Sequence, residues 1–121
     1  MRYIKKLHEL AWVENYSIKG FVGFVPDGYK IITDNNGKVL DIVRDFTAEK
    51  QLEIIKVIGL LGNVCITKRE YNGLWCITTH HKNGMGEHES FDEALAMLIY
   101  NIWNYLSEHI QRKIKEVLND F

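Results

Sequence analysis

The chain has 121 residues, 46% of them hydrophobic, which is the composition of one folded domain with a real core. Fifteen Lys and Arg against sixteen Asp and Glu leave a formal net charge of -1, so charge gives no reason to expect a nucleic acid or an anionic membrane as partner. Two cysteines, Cys65 and Cys76, are too few for a disulfide framework and are not spaced as a CxxC redox or zinc motif.

The opening residues MRYIKKLHELAW carry basic side chains but no long apolar run and no small-residue cleavage site. A secretory signal is therefore not expected, and the cytoplasm is the expected compartment. Tyr3, Ile4, Leu7, Leu10 and Ala11 recur at helical spacing while Lys5, Lys6, Glu9 and Glu14 fill the other side, which predicts a first amphipathic helix. Residues 17–25, SIKGFVGFV, are rich in β-branched and aromatic types, and Pro26-Asp27-Gly28 supplies turn chemistry before a second strand at 29–33. Asn35-Asn36-Gly37 predicts another turn and a third short strand over 39–43. Gly20 and Gly23 weaken the first of these strands.

Thr47 is the expected N-cap of a second helix, with Leu52, Ile55, Ile58 and Leu61 on one face and Gly62 at its C-terminal end. Ile54, Val57 and Leu60 widen that apolar surface. Gly59 inside the helix implies either close approach of another backbone or simple tolerance. Asn72-Gly73 and Asn83-Gly84 lie between β-rich flanks and predict a three-stranded antiparallel meander over 64–71, 74–82 and 85–89. A two-residue turn at Asn72-Gly73 would pair Arg69 with Cys76, Thr67 with Thr78 and Cys65 with His80. The cysteines would then stand roughly 13 Å apart, beyond any disulfide.

Residues 90–120 read as one long helix: Ser90 and Glu93 form a capping box, and neither Pro nor Gly interrupts the apolar repeat from Phe91 onward. Its first half is apolar nearly all round and must be covered on more than one side. Too short for a membrane span, it reads as a core helix. Its second half carries a narrow stripe, Leu106, Ile110, Ile114 and Val117, which would overhang the domain. That stripe would seat either the chain's own first helix or a second copy of the protein. The expected class is α+β: antiparallel meanders packed between amphipathic helices in a layered α/β/α sandwich, with a long C-terminal helix.

Chemistry-bearing clusters are sparse. Cys65, His80 and His88, with His81, form the one group resembling metal ligands, but neighbouring strand residues point to opposite faces, so His80 and His81 cannot share an ion within a strand. Cys65 opposite His80 is the sole nucleophile and base pair, without a third residue to orient it. Residues 82–90, KNGMGEHES, run into a helix N-terminus as a phosphate cradle does, yet Glu87, Glu89, Asp92 and Glu93 would repel a phosphate. Glu89, Asp92 and Glu93 also stand where a double-stranded RNA-binding domain needs cations. Trp75, Trp103 and Tyr105, with His80 and His88, are the candidate binding residues, exposed aromatics being suited to anchoring an interface.

The GFVPDGYKIITDNNGKVL stretch, the Asp45-Phe46-Thr47 helix start, Trp75 in a hairpin strand, and Gly86, Ser90, Glu93, Ala94 and Leu95 leading into the last helix together resemble the phage ABA sandwich domain proteins. The resemblance covers residues 23–105. It implies a layered helix, sheet, helix arrangement in a small phage or prophage protein, and it carries over no catalytic residues. The expected function is that of a non-enzymatic accessory protein, without cofactor or metal, that binds a host or defence-system protein. The alternative is a small-molecule or nucleotide binder, or a metal-dependent enzyme using Cys65, His80 and His88.

Overall fold

The computed structural model describes residues 3–11 and 27–119. In order these form α1 (Tyr3–Leu10), β1 (Tyr29–Thr33), β2 (Val39–Arg44), α2 (Ala48–Gly59), β3 (Cys65–Lys68), β4 (Trp75–Thr78), β5 (Met85–His88), α3 (Phe91–Ile102), a 3₁₀ turn (Trp103–Tyr105) and α4 (Glu108–Asn119). The class is α+β, with antiparallel strands packed against helices and a helix at the C-terminal end. The strand expected over 17–25 lies outside the described residues.

Helix α3 is the centre of the core. Ala94, Leu95, Ala96, Leu98, Ile99 and Ile102 leave it no solvent face of any width, so the hydrophobic effect demands partners on several sides. Helix α1 covers one flank, and β4 and β5 lie along another. Gly86 makes the second contact possible, because a Cβ there would run into the carbonyl oxygen of Ala94 and the amide of Leu98. The strand backbone thus lies directly on the helix backbone.

The strands form two sheets, a β1-β2 hairpin and a β3-β4-β5 meander. In the hairpin turn, Asp34 Oδ1 accepts from the amides of Asn36 and Lys38 at 2.8 and 2.9 Å, and Gly37 takes φ +82°. In the meander Cys65 faces Thr78, Ile66 faces Ile77, Thr67 faces Cys76 and Lys68 faces Trp75. This register differs by two residues from that of an Asn72-Gly73 two-residue turn. The chain instead closes a wider turn, with the Gly73 amide on Arg69 O at 2.8 Å and the Arg69 amide on Leu74 O at 2.9 Å. A shift of two preserves which residues share a face but separates Cys65 from His80. It also brings the two cysteines closer than expected, Cys76 facing Thr67, two residues along the strand from Cys65, and both are free thiols.

Helix α2 starts as its sequence requires, Thr47 Oγ1 accepting from the Lys50 amide at 3.3 Å. Its buried face is centred on Ile54 and Ile58, so Leu52 and Leu61 are left exposed. Gly59 meets no neighbour within 4 Å, so it is tolerated there and no backbone approaches it.

The single helix expected over 90–120 is two helices. Past Ile102 the backbone tightens into the 3₁₀ turn and then goes extended at Leu106 (φ -80°, ψ 143°). Ser107 Oγ accepts from the Ile110 amide at 3.3 Å and restarts the helix, while the Gln111 side chain donates at 2.7 Å to Trp103 O, which also accepts from the Leu106 amide at 3.2 Å, so both helices are pinned at the break. Helix α4 therefore folds back onto α2. Ile110 and Ile114 of the expected overhang are buried in the chain's own core with Leu118, and Val117 is half-buried. The capping box is also absent. Ser90 makes no side-chain cap and lies against His88 Nδ1, while Glu93 Oε2 accepts from the Tyr3 amide at 2.6 Å, tying the start of α1 to α3.

Beneath α1 lies a buried basic cluster. Arg44 donates to Asn119 O at 2.6 Å and Lys50 Nζ to Leu118 O at 3.4 Å, so two cations meet the negative end of α4. His8 is packed edge-on against Phe46, with ring centroids 6.4 Å apart.

Candidate functional site

Three of the recesses in the described surface are large enough to hold a ligand. One of about 440 Å³ is lined by Lys5, Lys30 and Arg44 together with Asp45, Asp92 and Glu93, so its charges offset one another. A groove of about 610 Å³ runs between the start of α2 and Glu116 and Val117 of α4. The third, of about 350 Å³, is a cleft between the end of α2, the β4–β5 loop and the α3–α4 corner. Its floor and walls are Ile58, Leu61, Ile102 and Leu106, and its mouth carries Thr79, His80, His81 and Tyr105. An apolar recess with a few convergent polar groups is the usual form of a binding site.

The loop at this mouth is built from its own sequence, Thr79-His80-His81-Lys82-Asn83-Gly84. The Gly84 amide bonds to His81 O and the Thr79 amide to Gly84 O, both at 2.8 Å, which closes the turn. Inside it the His81 amide donates to Thr79 Oγ1 at 3.3 Å, and the Asn83 amide donates to His81 Nδ1 at 3.0 Å. The Asn83 side chain then reaches across and donates to Tyr105 Oη at 3.2 Å. The His81 and Tyr105 rings are 4.3 Å apart at a 38° tilt. His80 lies over Gly62, where a Cβ would come within 2.5 Å of its ring, so the end of α2 must be glycine for this ring to settle there.

Of the residues expected to bind, His80 and Tyr105 are brought together in this cleft, where they are joined by Leu106 from the stripe expected to overhang. Trp75 belongs to the packing of β4 on α3, edge-on to Phe91 at 5.3 Å. Trp103 is buried in the core. His88 serves the turn before α3, its Nδ1 accepting from the Ser90 amide at 3.1 Å, and it lines the charged recess instead.

The metal grouping does not assemble. Cys65 and His88 stand on opposite faces of the meander by register, and His80 lies beyond the end of β4. Among the described residues no group of three His, Cys, Asp or Glu side chains is placed to hold a metal ion. The Cys65 and His80 pairing fails for the same reason.

Sequence reasoning did not find Thr79, Asn83, Leu61 or Gly62 as site residues. Asn83-Gly84 was legible as a turn, but that its Asn would bridge to Tyr105 depends on the α3–α4 corner, which the sequence pattern conceals. No helix among the described residues is long and apolar enough to cross a membrane. Compared with family models, with curated proteins and with solved structures, the chain matches none.

Proposed function

We propose that this chain is a small non-enzymatic protein that acts by binding another protein, as the phage or prophage accessory proteins it resembles are expected to do, and that the apolar cleft is where the partner docks. One observation carries this reading. Leu61 and Tyr105, which line the cleft, and Leu60, next to Leu61 in the chain, are 54%, 61% and 72% exposed, so large apolar side chains stand open to solvent at this recess. Clustered exposure of large apolar side chains marks an interaction surface. The residues lining the cleft include no carboxylate and no cysteine, which gives hydrolytic chemistry little to work with there.

Capture from a host lysate tests the reading, with wild type compared against Leu61→Asp and Tyr105→Ala. Both positions are exposed, so unchanged circular dichroism is expected. The reading requires a reproducible partner, a host or defence-system protein, that both variants lose. Failure to capture any reproducible partner, or capture unaffected by both variants, would overturn it. The cleft's volume also suits a small molecule, and a native mass spectrum of untagged protein with a discrete added mass would favour that alternative.

A further inference from the structure

The two edges of the meander are treated differently. In an antiparallel ladder, residues that bond across to their partner alternate with residues whose N–H and C=O point the other way. On β5 the outward residues are Met85 and Glu87, and α3 covers both. The Asn101 side chain donates to Met85 O at 2.9 Å, and the Glu87 amide donates to Met97 Sδ at 3.3 Å. On β3 the Arg69 amide bonds to Leu74 O across the ladder, so Thr67 and Cys65 bond inward too, and Ile66 and Lys68 turn their N–H and C=O outward. Strand β3 is the outermost of its sheet, all four of its residues are exposed, and among the described residues nothing pairs with its outer side. An uncovered edge of this kind is a template for a further strand.

We infer that β3 pairs antiparallel with β3 of a second copy of the chain, about a twofold axis at Thr67, joining two meanders into one sheet. The outward residues flank Thr67 symmetrically. With Thr67 facing its own counterpart, Ile66 of one copy pairs with Lys68 of the other, and Lys68 with Ile66. Every outward N–H and C=O of both strands is then bonded, and the assembly closes at two copies with neither β3 edge left over. The two lysines are offset across the axis rather than opposed, and Arg69 is already held by Glu87 at 2.7 Å, so like charges do not meet. Exposed apolar side chains follow the same symmetry. Leu60 precedes β3 and Tyr71 follows it, and both are exposed. An antiparallel twofold sets the Lys68 end of one strand against the Cys65 end of the other, which carries Tyr71 of each copy toward the Leu60 end of its mate. A foreign strand has no such built-in match. Leu60 does not line the cleft, so this surface is separate from the proposed docking site and stands without it.

The test is sedimentation equilibrium of the untagged full chain from about 10 µM to about 1 mM, because a four-residue pairing belongs with weak interfaces. The mass should rise with concentration from that of one chain to that of two. Lys68→Pro removes an outward N–H and no bond to β4, and Tyr71→Ser removes an exposed ring. Each should raise the dissociation constant about tenfold with circular dichroism unchanged. Thr67→Cys in a Cys65→Ser background should cross-link two copies on mild oxidation, since a residue facing itself at this site lies in a closely spaced pair. If Lys68→Pro does not fold, the other two variants decide. A chain that stays monomeric over the whole range overturns the inference. So does a dimer that neither Lys68→Pro nor Tyr71→Ser weakens, or one in which Thr67→Cys forms no cross-link. A monomer that captures a lysate protein and loses it in Lys68→Pro carries a foreign strand on this edge, which removes the second copy and leaves the protein-binding reading standing.

Discussion

His8 occupies a position that favours a neutral ring. It is 1% exposed, neither ring nitrogen has a hydrogen-bond partner among the described residues, and burial, then the charges of Lys50 and Arg44, lower its pKa from 6.5 to about 4. An unfolded chain protonates this histidine below pH 6.5 while the folded chain resists until about pH 4. Its contribution is therefore fully present above pH 6.5 and is lost progressively as pH falls toward 4, to a total of about 3 kcal/mol. Urea denaturation of wild type and His8→Leu from pH 7.5 to about 4 checks this, the variant being expected to lose less stability over that window. Equal slopes would show that His8 does not carry the pH dependence. The helical repeat held the clue: His8 follows Ile4 by four residues and lies beside Leu7, on the apolar side of α1 rather than with Lys5 and Glu9.

The contact between β5 and α3 depends on one missing side chain. Gly86→Ala would drive a methyl group into the Ala94 carbonyl, for a loss of about 1–3 kcal/mol or more, whereas Gly59→Ala enters open space in a helix and should gain about 0.5–1 kcal/mol. Paired urea titrations of the two variants check both signs at once. Most elements were legible before the structure. Turn chemistry at Asn35-Asn36-Gly37 and Asn83-Gly84, and the Thr47 cap, mark real boundaries because they are local interactions whose partners lie within a few residues. The α3–α4 break was hidden for the opposite reason. Ile102, Leu106, Ile110 and Ile114 keep a four-residue spacing straight through it, since both helices bury that side of the chain, and Ser107 alone announces the restart. The meander register was misread because the wider turn closes through Arg69 and Leu74 backbone bonds that no residue type dictates.

Over the whole molecule, folding α4 back turns an expected overhang into core. Ile114 is fully buried, and the end of α4 is tied to Arg44 of β2 and Lys50 of α2. Ile114→Lys should accordingly cost at least about 3 kcal/mol, the consequence of burying an unpaired charge. Circular dichroism melts should lose their cooperative transition, and native mass spectra of whatever remains folded should show an unchanged oligomeric state. A folded variant of reduced mass would mean instead that the stripe joins two copies. Of the cleft's lining, His80 and Tyr105 were visible in advance as binding residues, but their meeting depends on this fold-back, which no local signal specifies. The corner at residues 103–106 also supplies Tyr105 and Leu106 to the cleft. A change that straightened it would dismantle the binding surface and the core together, so evolution cannot trade one against the other at these positions. Variation in partner choice is left to the β4–β5 loop and the end of α2, where side chains can be exchanged without reopening the corner.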